Sequence, residues 1–316
     1  MENKKNILIL SAGTGNAFAT CKAINDKFKD KLNLIIMDVN PKHLVSACIY
    51  CDQFIQSILI TDSQYYDFLK SVIVKNNIAV CIPFIDFDVS TLAEIYSKDD
   101  GKLKGLNIQV KDINVANICL DKLATYHWLK SNSIQTPNTY SIGGFFNESE
   151  MIIKPRKGIG SQITELSHEN LRSIKDSDDY LVQEKCKYPE ITIDVFRNEN
   201  EFYYLCRERI ETKSGVCTKA RLFLDNELGS IALKISNQLD LRYFCFQVMK
   251  LNGNWAVTDI NPRYGSGTSM SQPVGIDFFG AMLSDFLGLS PLDHLEPFKG
   301  EVYITRQYNN ILSLHE

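Results

Sequence analysis

The sequence of 316 residues lacks the features that define three classes of protein. No segment approaches the roughly 18 consecutive uncharged apolar residues that a membrane-spanning helix needs. Positive charge is not in excess, since the formal net charge is −4, which argues against a general nucleic-acid binder. The apolar run in MENKKNILIL is about five residues long and predicts a first strand rather than a signal peptide. We therefore expect a cytoplasmic protein whose partners include neither membrane nor nucleic acid.

Paired metal ligands are also scarce. The nine cysteines are an odd number scattered through apolar surroundings, which favours reduced thiols in the cytoplasm. Cys48 and Cys51 form a single CxxC motif without a second pair, and the five histidines show no ligand spacing. The sequence therefore disfavours a zinc or redox centre.

The first 110 residues alternate strands and helices, which predicts a parallel α/β unit. Gly13 and Gly15 lie at the first strand-to-helix turn, but Phe18 stands where a dinucleotide fingerprint needs a third glycine. We therefore interpret the turn as one that merely needs small residues. Asp86 and Asp88 follow a later strand, where they either face a substrate or cap the next helix, and capping is favoured.

A new unit opens near residue 110. Apolar residues recur there at helical spacing until Pro137, and Lys122 lies inside this predicted helix. The segment MIIKPRKGIGSQ, residues 151–162, predicts a strand that ends at Lys154 and leads into a glycine-rich turn. Backbone amides of such a turn, with lysine as a point charge, suit a polyphosphate, although the P-loop pattern is absent.

Two charged segments follow. Glu184 ends a predicted strand and Glu190 begins another, so these carboxylates either receive a nucleoside or form outward-facing salt bridges. Arg207, Arg209, Lys219 and Arg221 lie around Gly215, which predicts a basic loop pair and a local anionic site.

The segment FCFQVMKLNGNWAVTDINPRYGS, residues 244–266, predicts an antiparallel hairpin around an Asn-Gly turn. Side chains two apart on a strand share a face, so Asp259 and Asn261 project together. A three-residue loop at 252–254 would place Gln247 opposite Asp259. These oxygen ligands suit magnesium, and Arg263 can reach a phosphoryl oxygen. The alternative is an ordinary hairpin with a polar outer face.

The order of these motifs along residues 6–290 resembles the ATP-grasp superfamily, specifically its carbamoyl-phosphate-synthase-like branch. The resemblance implies an N-terminal parallel α/β (pre-ATP-grasp) domain, residues 1–110, followed by a two-lobed α+β ATP-grasp domain, residues 111–290. The small lid lobe is expected at about residues 125–187. Residues 291–316 are left as a C-terminal tail of strand and loop.

The resemblance implies where the nucleotide binds. Lys122 and Lys154 would contact the phosphates of ATP, and the 156–162 loop would close over them. The loop residues expected at the phosphates are Gly158, Gly160 and Ser161.

The resemblance also assigns the nucleoside and the metal. Glu184, with the backbone from Gln183 to Cys186, would hold adenine, and Glu190 the ribose. The residues expected to bind Mg²⁺, with Mn²⁺ as an alternative, are Gln247, Asp259 and Asn261, while Arg263 would steady the transferring phosphate. The family usually has glutamate where this chain has Asp259, and the shorter side chain leaves open whether two metal ions are bound.

The activity expected from the resemblance is that of an ATP-dependent ligase that joins a small-molecule carboxylate to an amine through an acyl phosphate. A homodimer is compatible with it. The substrate carboxylate needs a cationic partner, for which we select Arg209 and Arg221 as further catalytic residues. The alternatives are a nucleotide-binding regulatory protein without turnover and an NAD-dependent oxidoreductase built on the N-terminal unit. The sequence does not identify the acid, the amine, the pathway or the oligomeric state.

Overall fold

The structure is a computed structural model. It describes residues 4–99, 101, 103, 105–143, 150–158, 164–165 and 177–312. The described strands form three sheets, of four, six and four strands.

The first sheet is parallel, in the order β3-β2-β1-β4. Its strands are β1 Lys5–Ile9, β2 Leu32–Asp38, β3 Gln53–Gln56 and β4 Ile78–Ile82. The helices of this unit are α1 Gly15–Ala23, continued by π-helical residues Ile24–Phe28, α2 Tyr65–Lys75 and α3 Asp86–Ser97. The central strands β1 and β2 are mostly apolar because helices cover both faces of a parallel sheet.

The helix predicted before Pro137 is two helices in the structure, α4 Ile113–Leu120 and α5 Lys122–Ser131. Asp121 separates them. Its backbone is extended, and its carboxylate accepts a hydrogen bond from the backbone N–H of Leu123 at 3.0 Å, so it is the N-cap of α5. Lys122 is therefore the first residue of a helix rather than an interior one.

A small antiparallel sheet follows, in the order β5-β8-β6-β7. Its strands are β5 Thr139–Ser141, β6 Met151–Pro155, β7 Thr164–Glu165 and β8 Tyr180–Glu184. The sheet has a small core of its own around Met151, Ile153 and Val182. We call this unit the small lobe.

The third sheet is antiparallel, in the order β13-β12-β9-β10-β11-β14. Its strands are β9 Lys187–Arg197, β10 Phe202–Lys213, β11 Val216–Phe223, β12 Tyr243–Leu251, β13 Asn254–Asn261 and β14 Glu301–Thr305. Helix α6 is Asn226–Leu239, a 3₁₀ segment is Thr268–Val274, and α7 is Phe278–Leu287.

Two parts of this sheet differ from the sequence-based prediction. The basic residues 207–221 lie on the paired strands β10 and β11 and the turn between them, rather than in two loops. The segment set apart as a C-terminal tail contributes β14, which pairs with β11 and forms an edge of the large sheet. Long-range strand pairing of this kind leaves no local sequence signal.

The predicted fold class is confirmed, with a parallel α/β unit preceding antiparallel sheets. One face of the large sheet packs against α6, with Ile193, Leu228 and Phe246 in the shared core. Its other face meets the N-terminal unit in a second core that contains Ile7, Phe196 and Tyr243. Among the described residues, no helix is long and apolar enough to cross a membrane.

Candidate active site

The hairpin of β12 and β13 carries the predicted metal ligands. Its turn consists of Asn252 and Gly253, whose φ values of 51° and 85° suit a type I′ turn. Gln247 pairs with Asp259, as predicted, but the predicted three-residue loop is wrong. A β-bulge at Thr258 supplies the one-residue offset instead.

The bulge shifts by one residue the alternation of β13 side chains between the core and the opposite face. Val257 before it and Ile260 after it both pack in the apolar core. Without a bulge, residues three apart would point to opposite faces of a strand. Asp259 and Asn261 are thereby turned away from the core, onto the same face as Gln247.

A row of side chains crosses this face from strand to strand. Asp259 pairs with Gln247, Gln247 with Thr192 of β9, and Thr192 with Arg207 of β10. Directly paired residues share a face of a sheet and lie within reach of one another. We call the face that carries Gln247, Thr192 and Arg207 the site face.

Arg263 lies two residues beyond the end of β13 and is buried. Its Nε and Nη2 atoms each lie 2.9 Å from a carboxylate oxygen of Asp86, the first residue of α3. Nη2 also donates to Oδ1 of Asn261 at 3.3 Å, and Nη1 to the carbonyl of Tyr264 at 3.2 Å. Asp86 is thus an ion-pair partner at the site. The structure shows no capping bond from it to α3, the role that the sequence favoured.

Asp88 also differs from the favoured capping role. Its carboxylate is fully buried and accepts hydrogen bonds from the hydroxyls of Ser11 and Tyr65, both at 2.6 Å. Burial raises the pKa of Asp88 to about 6, although both hydrogen bonds oppose the shift. Asp88 therefore links the end of β1 to α2 and α3.

Lys154 of β6 approaches the predicted metal ligands from the small lobe. Its side chain is 5% exposed, and its Nζ donates to the carbonyl of Thr258, the bulge residue, at 3.4 Å. Burial lowers the pKa of Lys154 to about 8, a shift that Asp259 opposes and Lys122 reinforces. Within the described part of the chain this long hydrogen bond is the only one that the Lys154 ammonium makes, so the ammonium retains capacity to bind an anion.

Lys122 is held near Lys154 by contacts between α5 and β6. The backbone N–H of Lys122 donates to the carbonyl of Arg156 at 3.1 Å. The Arg156 guanidinium pairs with Asp121, with 2.7 Å between Nη2 and Oδ2. Both lysines are buried, at 8% and 5% exposure. The structure thus brings together the two lysines predicted to contact phosphate.

The segment predicted to hold adenine connects the small lobe to the large sheet. The Gln183 side chain donates to Oγ1 of Thr139 at 2.8 Å, so it is used within the small lobe. Oε2 of Glu184 accepts from the backbone N–H of Asn138 at 3.2 Å. Burial, followed by the Glu184 charge, raises the pKa of Cys186 to about 11, and the charge of Lys154 opposes this shift.

Gly158 is described, with a φ of 114° that favours glycine, and space is open where a Cβ would stand. Gly160 and Ser161 lie outside the described residues. Their predicted contacts with phosphate remain predictions.

Glu190 and Arg209 form an ion pair with each other. Arg209 also donates to the carbonyl of Gly215 at 3.0 Å. Both residues lie on the site face, because their neighbours Ile191 and Glu208 pair on the opposite face. A ribose at Glu190 would therefore contact a carboxylate whose charge is already partnered.

The position of Arg221 corrects the prediction that it binds the substrate. Arg221 pairs with Glu208 in the β10–β11 register, and Glu208 pairs with Ile191 of the apolar core. Arg221 therefore lies on the face of the sheet opposite to the one that carries Gln247. Its guanidinium contacts Glu208 at 2.8 Å and Glu301 at 2.9 Å. Successive side chains of a strand alternate between the two faces of a sheet, and this alternation directs Arg221 away from Gln247. The prediction of a loop did not take the alternation into account.

Arg207, rather than Arg221, supports the loop that follows Arg263. It forms a buried ion pair with Asp194 of β9, with 3.1 Å between Nη2 and Oδ2. Oδ1 of Asp194 accepts from the Thr268 hydroxyl at 2.6 Å. A Cβ on Gly267 would stand 2.1 Å from Nη1 of Arg207, so the loop backbone lies directly on the guanidinium. Nothing in the sequence indicated that Arg207 pairs with Asp194 or contacts Gly267.

The N-terminal turn does not present a free acidic residue to a dinucleotide. Asp38 at the end of β2 accepts from the backbone N–H groups of Gly13 at 2.6 Å and Asn40 at 2.9 Å. This carboxylate would otherwise be the candidate partner of a ribose. It instead holds the turn after β1, which supports the interpretation made from the missing third glycine.

The residues at the site suit ATP with a magnesium ion. Two buried lysines lie near a carboxylate and two amide side chains on one face, and hard oxygen ligands are those that magnesium prefers. The capacity of the Lys154 ammonium to bind an anion fits a phosphate group.

Two family models match the sequence. Residues 119–267 match an ATP-grasp domain, and residues 7–105 match a PylC-like N-terminal domain. No curated protein matches the chain.

Solved structures share the fold across nearly the whole chain. An N5-carboxyaminoimidazole ribonucleotide synthetase from Thermotoga maritima is 18% identical, with a TM-score of 0.67 over 90% of this chain and 76% of that one. An L-amino acid ligase from Bacillus licheniformis is 13% identical, with a TM-score of 0.71 over 93% and 77%. The biotin carboxylase domain of a 2-oxoglutarate carboxylase from Hydrogenobacter thermophilus is 13% identical, with a TM-score of 0.72 over 96% and 74%. These identities establish a common fold, and the two family models show that residues 119–267 form an ATP-grasp domain and residues 7–105 a PylC-like N-terminal domain.

Proposed function

We propose that this protein is an ATP- and magnesium-dependent ligase that joins a small-molecule carboxylate to an amine. The observation that carries the proposal is the convergence of Lys154 and Lys122 with Asp259, Asn261 and Arg263. Cationic groups and oxygen ligands gathered in a buried site are what phosphoryl transfer requires, since catalysis there consists of positioning and charge stabilisation. The family match and the ligases among the structural relatives support the same activity.

The proposed reaction has two steps. A carboxylate oxygen of the acid attacks the γ-phosphorus of ATP, and the bond to ADP breaks, which yields an acyl phosphate. The amine then attacks the carbonyl carbon, phosphate leaves, and the amine loses a proton to form an amide. Magnesium, when bound, supplies positive charge to the phosphates.

The protein's own residues position the reactants. Lys122 and Lys154 bind the phosphates, and the Arg263 guanidinium, oriented by Asp86, contacts the transferring group. The segment 183–186 receives adenine and Glu190 the ribose. Gln247, Asp259 and Asn261 hold the metal, which Mn²⁺ can replace. The assignment to the carbamoyl-phosphate-synthase-like branch, action in the cytoplasm and a homodimer are compatible parts of the proposal.

The test is substitution of the metal ligands. We expect Asp259→Asn and Asn261→Ala to lower ADP release by on the order of 10²-fold or more, because each removes an oxygen ligand from a charged site. The assay is a screen of carboxylate and amine pairs for ADP formation, with thermal unfolding as the check on folding. Asn254→Ala is the matched control, because this exposed asparagine lies on the same strand.

Two results would contradict the proposal. Near-normal rates in a folded Asp259 or Asn261 variant would remove the hairpin from the active site. ATP binding by the wild type without carboxylate-dependent ADP release for any pair would instead favour a nucleotide-binding regulatory protein.

A further inference from the structure

Arg306 lies on the site face of the large sheet, at the end of its last strand. It follows β14 directly, and its backbone N–H donates to the carbonyl of Thr218 at 2.8 Å, which extends the pairing with β11 by one residue. The preceding alternate residue, Ile304, pairs with Ala220, and Ala220 pairs with Arg209 of the site face. Arg306 lies outside the residues that either family model matches.

Arg306 differs from the other described arginines in its partners. Seven of the eight form an ion pair with a carboxylate. Arg306 instead donates from Nη2 to the carbonyl of Ser266 at 2.9 Å and to the hydroxyl of Ser269 at 3.0 Å. Nε and Nη1 have no hydrogen-bond partner within the described residues. Three donors of a planar guanidinium are therefore available to a ligand.

The surroundings of Arg306 favour an anion. Burial, followed by the charge of Arg207, lowers the pKa of Arg306. The Arg207 charge is balanced by Asp194, whereas no described carboxylate balances Arg306. A partly buried cation beside a second guanidinium is unfavourable unless an anion joins it.

The loop between Arg263 and Ser269 connects Arg306 to the proposed phosphoryl-transfer site. Arg207 supports this loop at Gly267, and Arg306 binds it at Ser266 and Ser269. The phosphates of ATP already have Lys122 and Lys154 as proposed partners. The anion that has no assigned partner in the reaction is the substrate carboxylate.

We propose that Arg306 binds the carboxylate of the acid substrate, a role that rests on the proposed ligase function. A guanidinium that contacts one oxygen leaves the other free to attack phosphorus. From the sequence we had assigned this role to Arg221. With Arg306 in this role, the end of the last strand of the sheet forms the part of the site that binds the acid substrate.

The kinetic test compares Arg306→Gln and Arg306→Lys with Arg197→Gln. The control arginine pairs with Asp240 and lies outside the site. We expect Arg306→Gln to raise the KM for the acid about 10- to 100-fold, the usual effect of losing a hydrogen bond between charged groups, with the KM for ATP nearly unchanged. Arg306→Lys should restore part of the loss. Equal KM values for the acid in wild type and Arg306→Gln would overturn the proposal.

A second measurement does not require turnover. Phenylglyoxal modifies accessible arginines, and peptide mass spectrometry gives the rate at each one. We expect Arg306 to react faster than the paired Arg209 and to be protected by succinate or acetate. Slow labelling, or protection by inorganic phosphate alone, would overturn the carboxylate assignment. If labelling behaves as expected but no acid supports ADP release, the ligase proposal fails while Arg306 remains a carboxylate-binding residue.

Discussion

Lys154 should take up a proton when ATP binds. In the free protein its ammonium is buried and has one long hydrogen bond, to the carbonyl of Thr258. Burial lowers its pKa to about 8. A phosphate group beside Lys154 favours the charged form, so the pKa in the complex must be higher than in the free protein. Nucleotide binding is therefore coupled to protonation of this side chain.

The size of the effect follows from the pKa. Free Lys154 is neutral in about a tenth of the molecules at pH 7, about half at pH 8 and about nine-tenths at pH 9. The predicted uptake is the same fraction of a proton per nucleotide. Phosphate groups lose their last proton near pH 6, so they contribute little above pH 8. Above pH 8 the affinity for ATP should fall by up to about tenfold per pH unit, because binding must first restore the proton.

The assay is isothermal titration calorimetry of ATP and magnesium binding in buffers of different ionisation enthalpy. The slope of the observed enthalpy against the buffer enthalpy gives the number of protons taken up. We expect Lys154→Met to lose the uptake at pH 9, while Lys130→Met, which alters an exposed lysine on α5, retains it. Uptake below about a tenth of a proton at pH 9 in the wild type, or an equal uptake in Lys154→Met, would refute the reasoning.

Two further predictions concern the groups that hold Arg263 and its loop. Gly267→Ala places a Cβ 2.1 Å from Nη1 of Arg207, so we expect the loop or the guanidinium to move, with a loss of about 1–3 kcal/mol in thermal unfolding and slower ADP release; an unchanged melting temperature would show that the loop adapts freely. Asp86→Asn leaves the buried Arg263 guanidinium without its counter-charge, which should destabilise the protein by about 3–5 kcal/mol and lower kcat. A stable Asp86→Asn variant with normal kcat would mean that Asn261 and the Tyr264 carbonyl suffice to hold Arg263.

The sequence predicted the parts of the site that lie close together along the chain. Asp259 and Asn261 are two residues apart, and the hairpin around the Asn-Gly turn, with its bulge at Thr258, pairs Gln247 with Asp259. The local pattern predicted the strand that ends near Lys154, but it placed Lys122 inside a helix that in the structure begins at this residue. Their proximity came from the family resemblance, because the contact between α5 and β6 involves residues more than 30 positions apart.

The sequence could not predict contacts set by tertiary packing. Asp86 and Arg263 are separated by 177 positions, and only the docking of α3 against the loop after β13 brings them together. Arg221 was misassigned because its direction depends on strand register, which a basic composition does not encode. Arg306 escaped notice because a strand predicted in the tail gives no sign of its place in the site until its partner β11 is known.

The bulge at Thr258 has a consequence for how this protein can vary among its descendants. The two-residue turn and the extra residue in β13 together keep Asp259 opposite Gln247. A deletion of Thr258 alone would remove the bulge and leave a regular ladder in which Asp259 still pairs with Gln247, whereas a residue inserted between Thr258 and Asp259 would turn Asp259 and Asn261 into the apolar core and Ile260 toward the site face. The strand β13 should therefore tolerate the loss of Thr258 better than the gain of a residue beside it, and the turn should keep residues that accept the positive φ values of Asn252 and Gly253.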